Sequence, residues 1–157
     1  PDYADMIAEK GIFVDPTLAL SRLNQLRSVD GIGPASGAFA STDLRYEILR
    51  DMWDRGVKFV TGMDSGMTNA NFDDFAYIPE VMVEDMGITP MEAIISATQV
   101  SADCLGLLDE IGTLEEGKAA DVLIINGNPA VDIKALHSVN TIVKQGQIVK
   151  QENELLI

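Results

Sequence analysis

The stretch Gly56-Val57-Lys58-Phe59-Val60-Thr61-Gly62-Met63-Asp64-Ser65-Gly66 decides how this chain can fold. Apolar residues recur at helical spacing just before it, over 43–55, and Gly56 ends that pattern as glycine does after a helix. The run 57–61 then predicts a strand, so the segment reads as one α/β unit. The segment 62–66 follows the C-terminal end of that strand, and this is the edge where active sites of parallel α/β folds collect.

Asp64 is the residue of this stretch best suited to chemistry. A carboxylate that follows a buried strand and lies between two glycines can point into a pocket. The sequence Asp64-Ser65-Gly66 also fits a plain turn, in which the aspartate bonds to the nearby backbone. Local sequence leaves both interpretations open.

The segments before this unit predict a second strand and more helices. Residues 2–10 predict a short helix, and Ile12-Phe13-Val14 predicts a strand buried on both faces, as parallel strands are. A helix is expected over 18–26. The stretch 30–38 contains three glycines and a proline, which predicts a loop.

The segments after the unit change from helical to β-rich. We expect a helix over 78–86 and a second one over 90–105, which Thr89-Pro90-Met91-Glu92 starts with a capping box. Strands are expected at 121–126, 141–144 and 148–149, the last two joined as a hairpin through Gln145-Gly146. The chain is therefore α/β first and β-rich at its end.

Composition excludes several classes of partner. The 157 residues contain 11 Lys and Arg against 25 Asp and Glu, a net charge of −14, so we expect neither nucleic acid nor an anionic membrane surface as a partner. No apolar run is long enough to cross a bilayer, and a single cysteine cannot form an internal disulfide. We expect a cytoplasmic chain. Its start, at a proline without a secretory signal pattern, suggests a processed chain or a fragment.

Other reactive residues favour structural interpretations. Cys104 is predicted to be a core thiol, and His137 is predicted to lie on the surface near a strand end. Ser65 does not lie in a G-x-S-x-G nucleophile elbow, and no pair of histidines or cysteines has metal-binding spacing. We interpret three acidic pairs as solvated surface charge: Asp73-Asp74, Glu84-Asp85 and Glu115-Glu116.

Three motifs in order resemble the C-terminal part of the metal-dependent amidohydrolase superfamily, in its imidazolonepropionase and prolidase-like branch. They are the segments 56–66, 87–98 and 111–129, and 11–18 resembles the seventh barrel strand of that superfamily. The resemblance implies the seventh and eighth strands of a (β/α)8 barrel, an α/β fold, and the C-terminal part of a small β-sandwich domain. We expect residues 1–108 to belong to the barrel and 109–157 to the β domain.

The resemblance also implies a site. By motif match Asp64 would bind a divalent metal, zinc in many relatives, and take a proton from the water that attacks the substrate. Ser65 is an expected substrate contact, and no organic cofactor is expected. Where the family has Thr-Asp, this chain has Met63-Asp64. The family's other ligands, on its first, fourth, fifth and sixth strands, have no counterpart in the sequence.

Two functions therefore compete. The first is a metal-dependent hydrolase of amide-type C–N bonds in a cyclic amide or dipeptide-like small molecule, to which this chain contributes while being inactive alone. The alternative is a non-catalytic α/β interaction module in which Asp64 is only a turn residue. Because two strands cannot close a barrel, we expect the chain to associate with the missing N-terminal part of its parent or with itself.

Overall fold

The structure, a computed structural model, describes residues 2–27, 42–66, 69–152 and 154–156. They group into two compact units, Pro1–Thr89 and Pro90–Ile157. The loop predicted over 30–38 lies outside the described residues. The domain boundary expected after residue 108 stays a prediction.

The first unit contains helices around a short parallel sheet. Its elements are α1 (Tyr3–Glu9), β1 (Phe13–Val14), α2 (Ala19–Leu26), α3 (Thr42–Asp54), β2 (Lys58–Phe59), a 3₁₀ helix (Phe72–Ala76) and α4 (Tyr77–Glu84). Each helix and strand expected over this range is present. The expectation that the first strand is buried on both faces is wrong, because Phe13 and Val14 are half-buried and Ile12 is 46% exposed. The strands are shorter than the runs 12–14 and 57–61, because the described sheet has only these two strands to supply hydrogen bonds.

The core of this unit includes β2. Phe59 of β2 is only 1% exposed, and its ring meets Trp53 edge to face, with 5.8 Å between centroids and 78° between planes. The other fully buried apolar residues come mainly from α2 and α4 and include Leu18, Leu23, Ile78, Val81 and Met82. The loop that follows β2 therefore begins close to a buried core residue, Phe59.

The second unit combines a helix with an antiparallel sheet. The helix runs through α5 (Pro90–Ile95), a π-helical turn (Ser96–Val100) and α6 (Ser101–Cys104). The sheet has the order β3 (Val122–Ile125), β4 (Val139–Lys144), β5 (Gln147–Gln151), β6 (Glu154–Leu155), with a 3₁₀ helix (Ile133–His137) before β4. The predicted helix and strands are confirmed, and β6 was not expected.

The hairpin between β4 and β5 is confirmed, together with its turn. Gln145 has φ 50° and Gly146 has φ 79°, and two consecutive positive φ values are the mark of the tight turns that join twisted antiparallel strands. Glutamine is an uncommon residue at the first of these positions. The strand pairing on both sides holds it there.

One prediction for this unit is wrong. Cys104 is exposed and is not a core thiol. It lies two positions after the buried Ala102, which is about 200° around a helix and therefore on the opposite face. In the described part of the chain, no helix combines the length and the apolar character needed to cross a membrane.

Candidate active site at the end of two parallel strands

The first unit brings the ends of its two strands to one edge. β1 and β2 are parallel, with Phe13 opposite Lys58 and Val14 opposite Phe59. The N–H of Val60 continues the pairing with a 3.0 Å bond to the carbonyl of Val14. The residues that follow the two strands are therefore neighbours. These are Asp15 after β1 and the segment 62–66 after β2.

Asp64 lies in the loop between β2 and the 3₁₀ helix, where the sequence predicted it. Its side chain is exposed, whereas the preceding Met63 is buried and Ser65 is half-buried. The backbone of Asp64 is left-handed, with φ 50°, a conformation that aspartate tolerates better than most residues. The carboxylate is thus accessible at the C-terminal edge of the sheet.

Asp15 joins the ends of the two strands. Its Oδ1 accepts hydrogen bonds from the N–H of Gly62, at 3.0 Å, and from the N–H of Thr17, at 3.1 Å. Sequence reasoning used Asp15 only as the boundary of a strand. The bond to Gly62 crosses 47 positions of sequence, so no local pattern could have shown it.

The far end of the Asp64 loop is held by contacts with α2. The N–H of Gly66 bonds to the carbonyl of Ala70 at 2.9 Å, which closes the loop on itself. The side-chain amide of Asn69 donates to Oδ1 of Asn24 at 3.0 Å. Nη1 of Arg27 donates to the carbonyl of Asn69 at 2.9 Å.

A partly buried ion pair completes this anchor. The guanidinium of Arg27 donates two hydrogen bonds of 2.5 Å to the Asp74 carboxylate, and Asp74 is only 4% exposed. Asp74 also accepts from the N–H of Asn71 at 2.7 Å, and its hydrogen bond to Arg27 is the main reason that the pKa of Arg27 is raised. The prediction that Asp74 is solvated is therefore wrong, whereas the other five residues of the acidic pairs are exposed as expected.

A metal ion would need ligands from outside the described residues. Within the described ranges no group of three or more His, Cys, Asp or Glu side chains could hold one. His137 is exposed and belongs to the second unit, as does Cys104. Asp64 therefore fits a metal centre as one accessible carboxylate ligand. The described residues alone do not supply the other ligands of a complete site.

A comparison with known protein families identifies the chain. The family model described as "Amidohydrolase family" matches residues 1–149, nearly the whole sequence. The chain belongs to the amidohydrolase family. The motif resemblance seen in the sequence, to the imidazolonepropionase and prolidase-like branch, is confirmed by the relatives of this amidohydrolase chain.

Three of these relatives illustrate the similarity. The imidazolonepropionase of Geobacillus kaustophilus is 29% identical over 163 residues, which cover 98% of this chain and 38% of the relative. A Xaa-Pro dipeptidase, solved with methionine bound in its active site, is 28% identical with a TM-score of 0.71, covering 92% of this chain and 36% of that one. A prolidase candidate from Bifidobacterium longum is 27% identical with a TM-score of 0.72, covering 91% and 37%.

These comparisons support the α/β fold and relate it to the barrel of amidohydrolases. The chain spans less than two fifths of the length of each of these three relatives.

Proposed function

We propose that this chain supplies the C-terminal part of a metal-dependent amidohydrolase that cleaves an amide-type C–N bond. The observation that carries the proposal is the accessible carboxylate of Asp64, directly after a parallel strand, in a chain of the amidohydrolase family. In this proposal β1 and β2 are the seventh and eighth strands of the barrel. The strands β3 to β6 then belong to the small β-sandwich domain.

The chemistry assigned to the chain rests on one carboxylate. A divalent metal, zinc as the first candidate, supplies Lewis acidity when bound and makes water a stronger nucleophile. The Asp64 carboxylate is a metal ligand, and it takes up the proton that the attacking water loses. Ser65, half-buried beside it, contacts the substrate. The Asp64 loop, anchored at 62 and at 69–74, holds both side chains at the strand edge.

The substrate proposed is a small molecule, either a cyclic amide or a dipeptide. The names of the relatives support these two classes, since one is an imidazolonepropionase and another a Xaa-Pro dipeptidase. Both classes therefore belong in the same assay.

The test uses the complete reading frame that contains this sequence, expressed with zinc and assayed against Xaa-Pro dipeptides and an imidazolone. We expect hydrolysis by the wild type, and a loss in kcat of about 10²-fold to 10⁴-fold for Asp64→Asn, which removes a general base. Glu116→Gln, a change at an exposed carboxylate of the second unit, is the matched control and should keep full activity.

Two results would contradict the proposal. An Asp64→Asn enzyme as active as the wild type would remove Asp64 from the site. A complete protein that binds no zinc and hydrolyses neither class of substrate would favour the non-catalytic interaction module instead.

A further inference from the structure

We infer that Asp15 positions Asp64, by holding the backbone through which β2 enters the Asp64 loop; the inference rests on the function proposed above. The Asp15 carboxylate stands at the end of β1, and its Oδ1 accepts from the N–H of Gly62 at 3.0 Å. Gly62 is two residues before Asp64. A side chain on one strand thus fixes the direction in which the neighbouring strand continues.

The contact uses the space that glycine leaves at position 62. Gly62 does not have one of the positive φ values that usually require glycine. A Cβ at this position would instead lie 1.7 Å from Oδ2 of Asp15 and 2.6 Å from its Cγ, far inside van der Waals contact. The missing side chain therefore makes room for the Asp15 carboxylate.

Two turns of unfavourable backbone geometry are tied to the same carboxylate. Four non-glycine residues have a positive φ in the described part of the chain. Two of them are Thr17, with φ 45°, and Asp64, with φ 50°. Oδ1 of Asp15 bonds to the N–H of Thr17 at 3.1 Å and to Gly62 at the start of the second turn. Because such conformations persist only where the surroundings hold them, Asp15 is placed to hold both.

The segment from 62 to 64 leaves Asp64 little freedom once Gly62 is held. Met63 is buried, at 8% exposure, so its side chain points inward and the next side chain turns to the exposed side. The hydrogen bond from Gly62 and the burial of Met63 together fix the backbone position of Asp64. Asp15 acts through this backbone and is a positioning residue.

The experiment is a double-mutant cycle in the complete, zinc-loaded enzyme, using Asp15→Ala and Gly62→Ala. Both changes break the same contact, one by removing the carboxylate and the other by pushing it away. Outer-shell partners of metal ligands are worth about 10-fold to 100-fold in affinity or activity, so we expect each variant to lose that much in kcat and in zinc affinity, with KM changed less than about threefold. The double variant should be no worse than the worse single one.

The conservative variant separates positioning from charge. Asp15→Asn keeps an Oδ1 acceptor for both N–H groups and should retain kcat to within about threefold. Asp15→Glu keeps the charge but moves the acceptor by one methylene, so it should lose kcat as the alanine variant does. Amide hydrogen exchange at Gly62 should be faster in the alanine and glutamate variants and unchanged in the asparagine variant.

The outcomes distinguish this inference from the proposed function. Asp64→Asn, measured beside these variants, reports on the proposed function alone. If it abolishes activity and zinc affinity while Asp15→Ala and Asp15→Glu retain both, the positioning role is wrong and the function stands. If Asp15→Asn is as damaging as Asp15→Ala, or the cycle with Gly62→Ala is additive, the role is also wrong. Should Asp15→Ala not fold, the glutamate and asparagine variants decide alone.

Discussion

Replacing Phe59 with alanine should destabilise the first unit strongly, because the core around β2 is closed. Phe59 is 1% exposed and is one of the largest fully buried side chains among the described residues. Truncating a buried phenylalanine costs about 3 to 5 kcal/mol, and the edge-to-face contact with Trp53 accounts for about 0.5 to 1.5 kcal/mol of this. The neighbouring Val57 is also buried, so the cavity should collapse only in part.

The measurement is urea unfolding followed by the fluorescence of Trp53, the only tryptophan of the chain. Phe72→Ala is the matched control, because the same truncation at a side chain that is 84% exposed should change the free energy of unfolding by no more than about 0.5 kcal/mol. Phe59→Leu leaves a smaller cavity than alanine and should therefore cost less than Phe59→Ala. If Phe59→Ala costs no more than Phe72→Ala, the reasoning about a closed core at the end of β2 is refuted.

Three further predictions concern the 157-residue chain by itself. After dialysis it should retain no stoichiometric zinc, because one carboxylate does not replace three or four ligands, and metal analysis that finds one zinc per chain would contradict this. At low micromolar concentration it should sediment as an associated species, since the described parallel sheet has open edges, and a monodisperse 17.0 kDa monomer would show otherwise. The pKa of Asp121 is lowered by its hydrogen bonds from Lys144, at 2.5 Å, and from the N–H of Gln145, at 2.8 Å. The contribution of Asp121 to the free energy of unfolding should therefore be complete above the ordinary aspartate pKa and be lost as the pH falls below about 4. The unfolding free energies of wild type and Asp121→Asn should converge in acid. A constant difference between them across this range would exclude the effect.

The order of the elements could be predicted from the sequence because its signals are local. Periodicity of 3.6, a glycine after several of the helices and a short apolar run are properties of ten or fifteen neighbouring residues. They were sufficient for the helix over 43–55, the strand within 57–61 and the hairpin at Gln145-Gly146. The position of Asp64 in a loop after a strand followed from the same local signals.

The partners of the charged residues could not be predicted in this way. Asp73 and Asp74 are adjacent, yet one is exposed and the other is buried against Arg27, whose position is 47 residues earlier. Asp15 reaches Gly62 over the same separation. The buried side of the helix at Cys104 was not predictable either. Ala102 is buried, and a step of two residues around the helix places Cys104 on the exposed side.

The sequence by itself therefore determined the family motifs, the succession of helices and strands, and the presence of one candidate carboxylate at a strand end. Only the tertiary structure decided which groups contact the loop that carries this carboxylate: Asp15 bonds to its start, and Asn24 and Arg27, with Asp74, bond at its end. The physical reason is distance along the chain. Helix and turn signals act between near neighbours, whereas a hydrogen bond between β1 and β2 or between α2 and the Asp64 loop exists only after the parallel pairing has brought remote segments together.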